Sequence, residues 1–199
     1  MPHKRDSGPD LVSELANRLK GEGIVFQALD RNRARINGRL CRLAHSNSSS
    51  KKDFSNYFWG ISANNCEFLI LIGGRNIGIS LLSRILSQMS VSKEDREFLR
   101  QPRLEHVFII PYDHFGAYTK GLLPADNGAW NINVYFAGDL KCSFTGNGTP
   151  CQLSGQDVKR NHLNRFEQLG IDPATATRLR GHLKATEDSF PRYHNIVNH

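Results

Sequence analysis

The chemistry this chain offers most openly is arginine chemistry. Arg31, Arg33, Arg35, Arg39 and Arg42 are followed by Lys51 and Lys52, and no Asp or Glu interrupts the stretch from Arg31 to Lys52. The chain of 199 residues has a formal net charge of +7, so this stretch alone matches the whole imbalance. A basic patch of that density attracts polyanions. Guanidinium forks suit phosphate oxygens and the guanine edge better than ammonium groups do. The plainer alternative is a solvated basic face. A second group, Arg178, Arg180, His182 and Lys184, follows on a segment with helical character.

Other chemistry is sparser. Cys41, Cys66, Cys142 and Cys151 form no close pair of the kind zinc sites use, and buried reduced thiols are expected. His162 with Asn164, and His194 with His199, lack the Cys or Asp pattern of a metal nuclease. Gly73-Gly74-Arg75-Asn76-Ile77-Gly78 has the context of a phosphate loop without its Lys-Ser/Thr ending, and reads as a turn. The acids nearest the basic stretch are Glu14, Asp30 and Asp53, with Glu67 further on. A metal nuclease needs two or three carboxylates converging on one cation, and no acid pair here stands at strand spacing with a lysine nearby. No metal or other cofactor is expected.

The elements that would position these residues follow from periodicity. Residues 1–9 are expected to form a flexible basic leader. Asp10 opens a helix with Leu11, Leu15 and Leu19 on one face, ended by Gly21 or Gly23. Strands are expected at Ile24–Phe26 and at Ala34–Ile36, the latter turning at Asn37-Gly38 into Arg39–Leu43. Residues 46–56 read as a polar loop, followed by strands at Tyr57–Ile61 and Glu67–Ile72. Residues 77–103 read as a helical insertion, and His106–Ile110 returns to strand. Residues 112–128 read as loop, and Trp130–Phe136 alternates as a half-buried strand. Helical character is expected over Val158–Leu169, and Asp172-Pro173 starts a further helix to about Lys184.

Hydrophobic residues make up 39% of the chain and charged residues 23%, as in a globular protein. No apolar run reaches membrane-spanning length, and the start of the chain lacks a signal-like apolar stretch, so the cytosol or nucleoid is the expected location. The expected fold is α/β (α+β), with a mixed central sheet flanked by helices. A core over 10–156 would carry the insertion, and 157–199 would form a basic helical extension.

The order helix, strand, hairpin, strand resembles the PD-(D/E)XK, or restriction-endonuclease-like, nuclease superfamily. The resemblance rests on Ile36–Leu43, Tyr57–Ile61, Phe68–Ile72 and Val107–Pro111, and covers residues 10–136. It implies an Asp near position 33, a Glu near 42 and a Lys near 44, with a helix acid matched by Glu14. This chain has Arg33, Arg42 and Ala44 there. A guanidinium repels a cation and binds phosphate, so the resemblance implies a DNA-binding shape without cleavage chemistry.

The leading expectation is therefore a catalytically inactive DNA-binding protein, part of a restriction, defence or regulatory system. Its contacts would come from Arg31, Arg33, Arg35, Arg39, Arg42, Lys51, Lys52, Arg178, Arg180 and Lys184. Double-stranded DNA, a separate catalytic or defence subunit and a second copy are the partners considered, with no membrane. An active metal-dependent endonuclease using Glu14, Asp30, Asp53 and Glu67 is the second reading. A protein-interaction scaffold is the third, and RNA binding is also open. Tyr57, Phe58 and Trp59 could then stack on bases, although core packing of alternate members is the expected role.

Overall fold

The computed structural model describes residues 11–49, 55–62, 65–76, 87, 103–137 and 139–188. Helix α1 (Leu11–Gly21) leads into β1 (Phe26–Asp30), β2 (Arg33–Ile36) and β3 (Arg39–Ser49). β4 (Ser55–Ser62), β5 (Phe68–Asn76) and β6 (Arg103–Pro111) follow, then α2 (Tyr112–Tyr118). β7 (Ala129–Ala137), β8 (Asp139–Thr145), β9 (Cys151–Leu153), α3 (Gly155–Asn161), a 3₁₀ turn (Phe166–Leu169) and α4 (Pro173–Asp188) complete the order.

The strands make two sheets. The first has the order β1-β2-β3-β5-β6, and the second has the order β4-β7-β8-β9. β3 and β5 run parallel, while the other neighbouring strands of the first sheet pair antiparallel, so that sheet is mixed. Asn37 and Gly38 make the β2–β3 turn with φ of 50° and 81°. Both values lie in the left-handed region that such a two-residue turn requires, which is why Asn-Gly stands there.

One face of the first sheet buries Ala34, Ile36, Cys41, Leu43, Ile70, Ile72, Val107 and Ile109 under Leu11, Leu15 and Leu19 of α1 and Ala176, Leu179 and Leu183 of α4. The other face, at the β5–β6 end, packs Leu69, Leu71, Phe108 and Ile110 onto Tyr57, Trp59, Ile132, Val134 and Phe144 of the second sheet. Each fully buried aliphatic or aromatic side chain contributes roughly 1.5–3 kcal/mol. The described residues thus form an α+β assembly in which α1 and α4 pack on one face of the mixed sheet and the antiparallel sheet, with α2 and α3, on the other.

Several expectations need correction. On the face turned away from α1 and α4, a second sheet joins Phe115 of α2 and Val158 of α3 in covering the central sheet. β1 begins at Phe26 instead of Ile24. Ser46–Ser49, read as loop, continue β3 because parallel pairing to Gly73–Asn76 satisfies their backbone groups. Gly73-Gly74 does not end its strand for the same reason. Tyr112–Tyr118, read as loop, is helical, and the ring of Phe115 packs against Tyr112, Trp130 and Phe144. The helical reading of Val158–Leu169 breaks into α3 and the 3₁₀ turn, with Asn164 at φ 54° between them. Within 157–188, α4 shares the α1 core, and Asp172 accepts from the Thr175 amide at 3.0 Å as its N-cap. The leader, the Asp10 cap and nearly all of the insertion at 77–103 lie outside the described residues.

Candidate nucleic-acid interface

Alternation on β2 decides where the arginines go. Ala34 and Ile36 face the helical core, so Arg33 and Arg35 face away from it, and both are exposed. The ladder places Arg33 directly opposite Arg42, and Arg35 opposite both Gln27 and Leu40. Ala44 follows Arg42 on the same face. From Ala44 of β3 onward this face is covered by the second sheet; among the described residues it is open over β1 and β2. Arg31 is exposed in the β1–β2 turn. Arg39 lies at the hairpin end.

Like charges directly opposite one another across a ladder are destabilising, and two carboxylates on the border offset part of the charge. Asp30 accepts from Arg33 Nε at 2.6 Å and from the Asn32 amide at 2.8 Å. The Asn32 bond first, and the Arg33 bond second, hold the Asp30 carboxyl below its ordinary range. Glu67 accepts from the Leu40 amide at 2.7 Å and from Arg39 at 3.1 Å, and these bonds in that order lower its pKa. The Arg35 charge acts on Glu67 as well. Arg33, Arg35 and Arg42 share this face, and with only Asp30 and Glu67 on its border it stays net positive.

The structure does not gather all the expected contacts. Arg178 and Arg180 sit on α4, against the opposite face of the first sheet. Arg178 is held by Glu22 at 2.6 Å and Arg180 by Glu167. They cannot join the β2–β3 arginines in one flat patch, because the sheet and its helices stand between. Lys184 lies on α4, whereas Lys51 and Lys52 lie outside the described residues.

The acids of the metal-nuclease reading are separated too. Glu14 pairs with Arg18 and accepts from the Leu104 amide at 2.9 Å, tying α1 to β6. Asp30 and Glu67 are engaged as described above, and Asp53 lies outside the described residues. Among the described residues no three of His, Cys, Asp and Glu are grouped to hold a metal ion. Arg33 and Arg42 stand opposite one another, and Ala44 follows Arg42 on the same face. Their two guanidiniums and one methyl group do not fit a divalent cation.

One polar cluster escaped sequence reasoning. Adjacent strand residues normally point to opposite faces. Opposite Gly73-Gly74, however, the register of β6 skips Glu105. That bulge brings both Glu105 and His106 to Tyr57: the tyrosine hydroxyl donates to Glu105, and His106 Nδ1 lies 3.1 Å from the same oxygen. Gly73 makes room, since a Cβ there would lie 2.7 Å from Tyr57 Cζ. The doubled glycine was the only available signal. Of the neighbouring aromatic trio, Tyr57 and Trp59 are buried and Phe58 is exposed.

The four cysteines are free, and burial pushes the Cys41 and Cys142 thiols up to about 12, so these two are inert packing groups. Among the described residues no helix is long and apolar enough to cross a membrane. No protein-family model, curated protein or solved structure matches the chain.

Proposed function

We propose that this chain is a DNA-binding protein of restriction-endonuclease-like build without cleavage chemistry. It would grip duplex DNA with the open face of β1–β3 and serve a restriction, defence or regulatory system, beside a separate catalytic subunit where cleavage is needed. The supporting observation is the register that sets Arg33 against Arg42, with Arg35 alongside, on a sheet face that nothing in the described fold covers. Phosphate accepts forked guanidinium donors of this kind. Nucleoid association follows from the same charge.

The test is fluorescence anisotropy with labelled duplex DNA across a salt series in EDTA, repeated with Mg²⁺ or Mn²⁺. Affinity should fall steeply with salt. The Arg33→Ala, Arg35→Ala double variant should bind about 10- to 100-fold more weakly, with a salt slope shallower by about 2. Unchanged binding by that variant would sink the assignment. Metal-dependent strand breaks would return the argument to Asp30 and Glu67, and no binding at low salt would favour the scaffold reading.

A further inference from the structure

Among the described residues β1 is the outermost strand of its sheet, and the edge it presents is unusual. Natural edges are guarded by lysines, prolines or bulges. Over Phe26–Leu29 this one carries no charge and no proline, and its single charge, Asp30 at the end, is paired with Arg33. Its guards are Asp30 at the end of the strand and the register shift between Ala28 and Asp30 in the ladder with β2. Val25 and Leu29 are 65% and 43% exposed, two of the four large apolar side chains that the described surface leaves open.

Among the described residues no strand pairs with the outer side of this edge. Asn37 N donates to Val25 O at 2.9 Å, so Val25, and by alternation Gln27, turn their polar groups toward β2. The amides and carbonyls of Phe26 and Ala28 therefore point outward. The far edge of the sheet differs: β6 is capped by the 162–164 segment, with Ile109 N donating to His162 O at 2.9 Å and Asn164 N donating to Val107 O.

We propose that the β1 edge pairs antiparallel with the β1 edge of a second copy of this chain, about a two-fold axis at Gln27. The segment Val25–Leu29 is self-complementary in that register. Gln27 meets its own counterpart, amide to amide. Val25 lies opposite Leu29 of the other copy on both sides of the axis, so the exposed apolar groups cover one another. On the other face Phe26 lies opposite Ala28, large against small. Phe26 and Ala28 exchange about four backbone hydrogen bonds with their counterparts. No like charges are brought together within the segment, which favours this occupant over a charged foreign strand. The pairing is short, so affinity is modest, tens of micromolar or weaker.

Strands related in this way share a face, so the two arginine wings become one surface. Three strand spacings separate Arg35 from its symmetry mate, roughly 14 Å. The dimer itself stands on the edge alone; only this consequence rests on the DNA-binding reading.

Sedimentation velocity of the full chain, run from about 1 to about 100 µM, tests the pairing. Self-association that strengthens with salt is expected, because salt screens repulsion between two positive copies, whereas DNA binding weakens with salt. The Val25→Lys, Leu29→Lys variant should weaken association at least about tenfold. Both sites are exposed, so its thermal melt should match the parent. Under mild oxidation Gln27→Cys should form a disulfide dimer, since directly opposed residues have Cα atoms about 4.5–5.5 Å apart. Arg35→Cys should not. A chain that stays monomeric throughout, a dimer indifferent to the lysines, or equal cross-linking at both cysteines would overturn the proposal.

Discussion

At the β5–β6 end of the first sheet both faces are covered. Ile70 and Ile72 face α1 and α4, while Leu69 and Leu71, one residue out of phase, face the second sheet. At the β1–β2 end only one face is covered, and the residues out of phase with Ala34 and Ile36 are Arg33 and Arg35. The same pleat carries leucine where a second layer follows and arginine where none does. The bare face is thus the place where side-chain identity is free of packing and available for binding.

If that contrast is right, substitutions should separate stability from binding. The largest stability loss is expected for Phe108→Ala, which opens a cavity between the two sheets beside Trp59; urea unfolding should show a loss of about 3–5 kcal/mol. Gly73→Ala should cost about 1–3 kcal/mol, because the added methyl collides with the buried Tyr57 ring. Neither should change the salt dependence of DNA binding by the folded fraction. Arg33→Ala with Arg35→Ala should do the reverse, and a large stability loss in that variant would mean that the wing is not the open surface described.

A smaller effect tests the covered end through pH. His162 is buried, its Nε2 lies 2.8 Å from the Tyr118 hydroxyl and its Nδ1 lies 3.2 Å from Ile109 O. Burial lowers its pKa below 6.5, against the opposing pull of the Ile109 carbonyl. The folded state then takes up a proton less readily than the unfolded chain. Its contribution is complete above pH 6.5 and is lost as pH falls from there through the lowered folded-state value. Melting temperature should drop over that window, and His162→Gln should flatten the drop. The smallest effect is expected for Arg178→Ala: the helix arginine is already engaged by Glu22 on the far side of the sheet, so DNA affinity should not change measurably. A clear loss would mean that the two faces act together.

Much of the fold was legible locally. The leucine spacing marked α1, Asn37-Gly38 marked the hairpin, Asp172-Pro173 marked the start of α4, and the apolar run at Phe68–Ile72 marked a doubly buried strand. Each is written in a few adjacent residues. The second sheet was not legible, because β8 and β9 have no strong pattern of their own and are held by pairing to β7. Nor was the extension of β3 through Ser46–Ser49, whose polar side chains suggest a loop while their backbone groups find partners in β5. The candidate site divided in the same way. Its arginines were evident from the sequence; their grouping was only partly so, since Arg178 and Arg180 looked like allies of the hairpin arginines until α4 packed on the opposite face.

The sequence by itself determined the charge, the turn chemistry and the alternation that sends Arg33 and Arg35 to one face, because these depend on backbone dihedrals and nearest neighbours. Which face is buried and which stays open was decided only in three dimensions. It depends on where α1, α4 and the second sheet come to rest. The meeting of Tyr57, Glu105 and His106 was decided there too, since it depends on a one-residue slip between β5 and β6 that no local preference encodes.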